Sequence, residues 1–255
     1  MGLTINSQFL TRAHQIDSAK PTLWSKADLH LHTSYSDGYM TPVETIEIIA
    51  ACADLNVVAI TDHDTTEGAF IARDYAGRCH PQLNVIIGQE VTTGEGDVVG
   101  LFLQSTLPYF ETAAEAIEAI HQQGGLAVAV HPFVFGWGMK SVGRAILHLP
   151  FDAVETRHGC PLHSPLNLWA GLVNYFGQGL PVLGNSDSHV PYTAGQAFTW
   201  FPGRNSADLY RAIVLNQVRP GGTTWKIIDM LRTLRFIREY RRSTHLPESE
   251  LQSIS

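Results

Sequence analysis

The chain has few of the features that mark secreted or membrane proteins. It has three cysteines in 255 residues, and Cys52, Cys79 and Cys160 are too far apart to form a CxxC pair. That spacing argues against a disulfide framework or a zinc ribbon. No apolar run reaches the roughly 20 residues of a membrane span, and the first residues lack the apolar core of a signal peptide. We therefore expect a cytoplasmic protein with no membrane attachment.

Positive charge is also scarce. The 17 lysines and arginines are outnumbered by 24 aspartates and glutamates, which gives a formal net charge of −7. This balance argues against non-specific nucleic-acid binding as the main role, so no stable nucleic-acid complex is expected. It is compatible with a small phosphorylated substrate, because bound cations would reverse the local field.

What the sequence does contain is a series of short polar clusters, most of which directly follow an apolar run typical of a buried strand. These are Asp28-Leu29-His30-Leu31-His32, Ser36-Asp37-Gly38, Thr61-Asp62-His63-Asp64, Gly88-Gln89-Glu90, His131-Pro132 and Asn185-Ser186-Asp187-Ser188-His189. Imidazole and carboxylate ligands delivered together from strand ends are how a protein holds divalent cations for hydrolysis. The sequence therefore predicts a multinuclear metal site.

Apolar runs alternate with helical stretches along the chain. The candidate strands are residues 27–31, 57–61, 84–88, 98–103, 126–130, 153–156, 181–184 and, with a weaker pattern, 198–201. Their nearly continuous apolar character is typical of parallel strands covered on both faces. A capping box at Thr41-Pro42-Val43-Glu44 predicts one helix start, and Gly124-Gly125 ends a helix over 113–123. Repeated βα units favour an α/β barrel with about seven strands, with an open doubly wound sheet as the alternative.

Within a barrel, residues at the carboxyl ends of the strands share one face, and His32, His63, Glu90 and His131 fall there. His30 and His32 are two residues apart in a strand and therefore point to the same side.

The remaining carboxylates are harder to assign. Asp37 lies in a turn, where aspartate commonly caps the backbone. We interpret Asp62 as orienting an imidazole, whereas Asp64 is open between a ligand and a supporting role.

About residues 26–200 resemble the PHP (polymerase and histidinol phosphatase) family. The resemblance is carried by five motifs that occur in this order: DLHLHTSYSDG, ITDHDT, GQEV, HP and GNSDSH. The resemblance implies a distorted (β/α)7 barrel with the metal site at the carboxyl ends of the strands. It also implies phosphate-ester hydrolysis by a metal-bound hydroxide in a dinuclear or trinuclear site that holds Mn, Fe or Zn.

The resemblance also implies a ligand set, residue by residue. The first metal takes His30, His32, Glu90 and Asp187, the second takes Glu90 and His131, and the third takes Asp37, His63 and His189. Asp97 stands where many relatives have a histidine, and is either an oxygen ligand or a turn cap.

Substrate-binding and proton-transfer roles extend this expectation. Relatives often place a phosphate-binding arginine near Arg157, and a guanidinium suits that contact; the alternative is a solvated loop residue. His158 is a candidate proton donor to the leaving group, and Asp187 and Asp62 are candidates for moving a proton.

The expected function is that of a metal-dependent phosphoesterase acting on a small phosphate monoester or nucleotide, for example a nucleoside 3′,5′-bisphosphate. The alternatives are an exonuclease on short oligonucleotides, a histidinol-phosphate phosphatase, a non-catalytic metal-binding module and, more distantly, an amidohydrolase.

Four segments are predicted: an N-terminal extension (1–25), the barrel (26–222), a basic amphipathic helix (223–242) and a disordered tail (243–255). That helix is expected to pack on its own domain or on a dimer mate; the alternatives are another partner or a membrane surface. The oligomeric state is therefore left open.

Overall fold

The computed structural model describes residues 23–134 and 140–244. These residues contain nine strands: β1 (Trp24–Asp28), β2 (Val57–Ile60), β3 (Asn84–Val91), β4 (Val98–Leu101), β5 (Leu126–Ala129), β6 (Ala153–His158), β7 (Val182–Asn185), β8 (Ala197–Pro202) and β9 (Arg219–Gly222). Six α-helices accompany them: α1 (Pro42–Cys52), α2 (Glu67–Cys79), α3 (Ala113–Gln122), α4 (Ser164–Phe176), α5 (Ser206–Val214) and α6 (Ile227–Thr244).

The strands form one sheet in the order β7-β6-β5-β4-β3-β2-β1-β8-β9. The sheet curls until β8 meets β7, where Thr199 Oγ1 accepts a hydrogen bond from Gly184 N (3.0 Å) and donates one to Gly184 O (2.9 Å). The result is a nearly closed barrel, which confirms the predicted fold class.

The expectation of parallel pairing is wrong for two of the predicted strands, β4 and β8. β4 runs antiparallel to both β3 and β5, because the short connection 92–97 is too brief for the crossover that a parallel neighbour needs. β8 and β9 are also antiparallel to their neighbours. β9 was not predicted, since its sequence Arg-Pro-Gly-Gly is poor in strand-forming residues and suits only an edge.

Helix boundaries follow the sequence signals closely. The capping box of α1 is present, with Thr41 Oγ1 accepting from Glu44 N (3.2 Å) and Glu44 Oε2 accepting from Thr41 N (2.8 Å). Gly124, just beyond α3, has φ +76°, a left-handed conformation that glycine adopts without steric cost.

Alternate residues of each strand belong to two different apolar clusters, as the period of two requires. Val57 and Ala59 pack with residues of α5 in one cluster, whereas Val58 and Ile60 pack with residues of α1, α2 and α3 in the other. This two-sided burial explains the continuous apolar runs.

The segment boundaries differ slightly from those expected. Trp24 and Ser25 belong to β1, so the barrel begins before residue 26, and α6 continues to Thr244. Most of the predicted N-terminal extension and of the C-terminal tail lies outside the described residues. None of the described helices combines the length and apolarity needed to cross a membrane.

Candidate metal centre

The ligand motifs come together because sheet pairing continues past the strand ends. Leu31 forms a parallel bridge with Ser188, and His63 forms one with Glu90. His30 and His32 flank the first bridge, and Asp187 and His189 flank it from the other side. The side chains of both motifs are therefore directed toward one point.

A first group of potential ligands consists of His30, His32 and Asp187. Asp187 Oδ1 lies 3.2 Å from His32 Nε2 and 3.5 Å from His30 Nε2. All three residues are buried, so an ion here would be held inside the fold.

Glu90 lies at the centre of the site. Its Oε1 is 3.0 Å from His131 Nε2, and its Oε2 is 3.0 Å from His30 Nε2 and 3.2 Å from His32 Nε2. Glu90, His30 and His131 make up a second group of potential ligands. One carboxylate thus contacts members of two groups, which is the arrangement a bridging ligand requires.

A third group lies nearer the solvent and consists of His32, Asp37, His63 and His189. Asp37 Oδ2 is 3.1 Å from His189 Nε2 and 3.8 Å from His63 Nε2. The side chain of Asp37 is 56% exposed and that of His63 is 36% exposed, so this group forms the mouth of the site.

The electrostatics of the three groups suit cations. Burial raises the pKa of Glu90 and Asp187, yet neighbouring imidazoles, His30 foremost, hold the pKa of both carboxyls well below the usual range. Burial lowers the pKa of His32, but Asp187 and Glu90 raise it overall to about 10. Each carboxylate therefore stays ionised because positively charged imidazoles lie beside it. A bound divalent ion would supply that positive charge in their place.

Buried ring nitrogens without a hydrogen-bond partner indicate whether metal ions fit this site. His32 Nε2 is buried and makes no hydrogen bond, although two carboxylate oxygens lie 3.2 Å away. Buried polar atoms are normally paired, and an imidazole nitrogen directed between two carboxylate oxygens matches the position of a metal ligand. The donor set, with nitrogen and oxygen ligands and no thiolate, suits Mn, Fe or Zn.

Glu155 is a site residue that the sequence analysis did not identify. Its buried carboxylate lies 3.4 Å from His30 Nδ1 and accepts a hydrogen bond from Asn185 Nδ2 at 3.2 Å. Such a partner fixes the ring orientation of a ligating histidine. The available signal was a glutamate inside the apolar strand 153–156, where an unpaired charge is costly.

His158 has both ring nitrogens engaged. Its Nδ1 accepts from Cys160 N (3.0 Å), so Nε2 carries the proton that is donated to Asp187 Oδ2 (2.9 Å). This geometry favours a role in orienting Asp187 over the predicted role as proton donor to a leaving group.

Arg157 points away from the metal centre. Successive strand residues face opposite sides, and its Nη1 donates to Gly222 O at 3.2 Å. The side chain lines a separate cleft with Asn167 and Thr224. The structure therefore does not bring Arg157 to the place where a phosphate would bind.

Asp62 and Asp64 are occupied by backbone and hydroxyl donors. Asp62 accepts from Thr33 N, Thr33 Oγ1 and Ser36 Oγ at 2.6–2.7 Å, so it holds the loop after β1. Among the described residues it contacts no imidazole directly, and its link to the predicted role is Ser36 Oγ, which lies 3.5 Å from His32 Nδ1. Asp64 Oδ1 accepts from Thr92 N (2.8 Å). Neither aspartate belongs to the three ligand groups.

Asp97 lines the cleft but does not join a ligand group. Its Oδ2 accepts from Lys140 N at 3.3 Å. Burial and the charge of Glu90 raise its pKa to about 6. Its role as a ligand stays a prediction.

The backbone is strained at two predicted ligands. His131 has φ 29° and Asp187 has φ 50°, a region that non-glycine residues rarely adopt. Such strain persists where the surrounding structure imposes it and is concentrated at functional sites.

The three groups form the floor of a cleft of about 390 Å³. Six further side chains also line it: Asp97, His158, Cys160, Leu162, His163 and Trp225. No lysine or arginine among the described residues lines this cleft. A bound phosphate would therefore depend on the ions for charge neutralisation.

Comparison with known proteins extends the motif pattern. Residues 178–218 match the family model PHP_C, described as PHP-associated. An uncharacterised protein of Methanocaldococcus jannaschii is 37% identical over 141 residues, which are 51% of this chain and 80% of that protein.

Two named enzymes match over shorter stretches. The 5′-3′ exoribonuclease Rnm of Escherichia coli is 38% identical over 104 residues, 39% of this chain and 35% of that protein. The 3′,5′-nucleoside bisphosphate phosphatase of Chromobacterium violaceum is 39% identical over 95 residues, 35% of this chain and 32% of that protein. The match spans about a third of each enzyme.

A solved structure shares the fold. It is a two-domain protein from Bacteroides vulgatus, described as containing a predicted PHP-like metal-dependent phosphoesterase. It aligns with a TM-score of 0.63 at 19% identity, over 79% of this chain and 65% of that one. With these similarities and the converging His, Asp and Glu side chains, the chain belongs to the PHP family of metal-dependent phosphoesterases.

Proposed function

We propose that this chain hydrolyses a small phosphate monoester or nucleotide, for example a nucleoside 3′,5′-bisphosphate, with two or three ions of Mn, Fe or Zn. The observation that carries the proposal is Glu90, whose two oxygens lie 3.0 Å from His131 and from His30. Bound ions would lower the pKa of an attacking water and stabilise the charge that develops on the phosphoryl oxygens.

The residues of the chain would supply orientation. Glu155 and His158 fix the ring of His30 and the carboxylate of Asp187 through hydrogen bonds. Asp37 and His189 would hold the outermost ion at the mouth, where a substrate enters. Precise placement of ligands matters because small errors in geometry reduce the rate steeply.

An exonuclease acting on short oligonucleotides is the second candidate. Similarity to the Escherichia coli exoribonuclease supports it, and similarity to the bisphosphate phosphatase supports the first candidate to the same degree. No lysine or arginine among the described residues lines the small cleft, and the net charge is −7. Both observations favour the small substrate, since polymer binding depends on phosphate neutralisation by lysine and arginine.

The deciding experiment is a substrate panel assayed with added Mn²⁺ and again with chelator. The panel contains p-nitrophenyl phosphate, histidinol phosphate, nucleoside monophosphates, 3′,5′-bisphosphates and 5′-phosphorylated RNA of two to five nucleotides. We expect chelator-sensitive release of inorganic phosphate from the mononucleotides. Release of mononucleotides from RNA, without free phosphate, would instead establish the exonuclease.

Matched variants make the result specific. Asp37→Ala and His63→Ala should abolish turnover while leaving the far-ultraviolet circular dichroism spectrum unchanged. Asp54→Ala, at a side chain 90% exposed, should retain full activity. If metal-containing protein hydrolysed none of the substrates in the panel, the result would contradict the proposed function.

A further inference from the structure

Helix α4 presents an apolar face to solvent. Counted from Leu168, residues one, four, seven and eight positions further along lie on the same side of the helix. The side chains on this side are all exposed: Leu168 68%, Trp169 54%, Leu172 43%, Tyr175 78% and Phe176 81%. The opposite side carries the buried Ala170 and Asn174. One side of the helix is therefore packed against the barrel, whereas the apolar side chains of the other side remain in water.

The exposed area is large for a monomer. An aromatic side chain offers about 150–250 Å², so these five residues leave on the order of 600 Å² of apolar surface in water. That equals the largest apolar patch of a typical monomer, about 300–600 Å². It also approaches the roughly 800 Å² that each partner contributes to a stable protein–protein interface.

The same face combines a ridge with a groove. Trp169, Leu172 and Phe176 form one wall of an apolar groove of about 810 Å³, and Phe133 and Leu147 line it as well. Tyr175 and Leu168 project beside the groove. A two-fold rotation of one molecule would bring the ridge of each copy onto the groove of the other, as an isologous interface requires.

Charge distinguishes a second copy from other partners. An isologous contact places a surface against itself, so any charge near the two-fold axis meets the same charge. The 13 residues of α4 include no charged residue, in a chain whose net charge is −7. Among the described residues that line the groove, Arg144 is the one charged side chain, and it lies outside α4.

Helix α6 provides the contrast. It also exposes apolar residues, Leu231 and Leu234 among them, but its sequence includes five arginines. Self-association through α6 would bring like charges together. We propose that α4 forms the interface of a homodimer, with Leu172 near the two-fold axis.

The first test is the mass of the full chain in solution. Sedimentation velocity and light scattering at 1–50 µM should give about twice the monomer mass of 28.1 kDa. Leu172→Glu should be monomeric throughout this range, with at least a 100-fold rise in the dimer dissociation constant. Its circular dichroism and melting midpoint, measured at the lowest concentration, should match those of the wild type.

A charge-reversal pair tests the two-fold symmetry. Leu172→Glu and Leu172→Lys should each be monomeric alone, whereas an equimolar mixture should form a heterodimer because opposite charges then meet across the axis. Two monomeric variants that fail to associate when mixed would contradict the placement of Leu172 near the axis.

The control uses the other exposed apolar helix. Leu231→Glu with Leu234→Glu on α6 should leave the dimer intact. A dimer lost in this control but kept in Leu172→Glu would overturn the assignment to α4. A monomeric wild type would overturn the proposal outright. The same holds if that monomer binds anionic vesicles or covers α4 with another part of its own chain.

Discussion

The site contains candidate ligands and residues that position them, and the sequence predicts the first kind better than the second. The candidate ligands follow apolar runs as clusters of His, Asp and Glu, so their types and spacing indicate them directly. Glu155 and Asp62 were harder because their roles depend on which atoms face them. The error at Arg157 has the same origin, since the sequence places it one residue from His158 but cannot say which residue faces the cleft across a β-bulge.

The role of Glu155 leads to a prediction about metal affinity. Glu155→Gln keeps the size of the side chain but removes the negative charge beside His30 Nδ1. We expect the affinity for the most tightly bound ion to fall about 10–100-fold, the usual effect of losing such a partner. Competition with a chromogenic chelator measures it. Glu118→Gln on the exposed surface of α3 is the control, and equal affinities in the two variants would contradict the role.

His163 predicts a dependence of stability on pH. Burial, with a smaller contribution from the neighbouring His158 ring, lowers its pKa to about 4, from an ordinary value of 6.5. The folded protein keeps this ring neutral, whereas the unfolded chain takes up a proton at about 6.5. Its contribution to stability is therefore present above pH 6.5 and is lost as the pH falls toward 4.

The measurement compares the wild type with His163→Gln. The free energy of unfolding from urea titrations at pH 7 and pH 5 should fall more in the wild type, because the variant lacks the group that titrates. The same difference between the two proteins at both pH values would show that His163 does not titrate as inferred.

At the scale of elements, strand positions followed from the sequence but strand directions did not. All eight predicted strands are present, because two-sided burial produces continuous apolar runs whatever the direction of the strand. The orientation of β4 depends on the length of one connection. Closure of the sheet depends on Thr199 bonding to Gly184, a contact between residues 15 positions apart that no local pattern encodes.

Helix α6 is predicted to organise the outermost ligand group. Phe236 packs edge-on against Tyr39 and Tyr192, with ring centroids 6.0 and 6.3 Å apart. Tyr39 follows the Asp37 turn and donates its N–H to His189 O at 2.9 Å. The helix thus contacts two of the three segments that carry the ligands at the mouth, those of Asp37 and His189.

Phe236→Ala should therefore weaken the binding of one ion and leave the others in place. We expect metal analysis after dialysis to show the loss of about one ion per chain, relative to the wild type. Leu234→Ala, at a side chain 64% exposed, is the matched control. Full metal content in Phe236→Ala over a range of free Mn²⁺ would exclude this positioning role.

For the whole molecule, the site is both the source of function and a cost to folding. Buried carboxylates and imidazoles at the centre of the barrel are stable only with compensating charge. Without ions, protons on the imidazoles supply it, and the pKa of His32 near 10 reflects this. Ions and protons therefore compete for the same nitrogen atoms, and metal binding should release protons.

The competition predicts how metal stabilisation varies with pH. In the metal-free protein the raised pKa of His32 contributes stability that is complete below about pH 6.5 and is lost as the pH rises toward 10. The metal-bound protein has no proton to lose there, and it gains about 2.7 kcal/mol when the free ion is at 100 times its dissociation constant. The rise in melting midpoint caused by a fixed, chelator-buffered Mn²⁺ concentration should thus be larger at pH 8.5 than at pH 6.5. His32→Gln should remove most of that pH dependence, whereas Asp54→Ala should preserve it. An equal rise at both pH values in the wild type would mean that His32 does not exchange a proton for an ion.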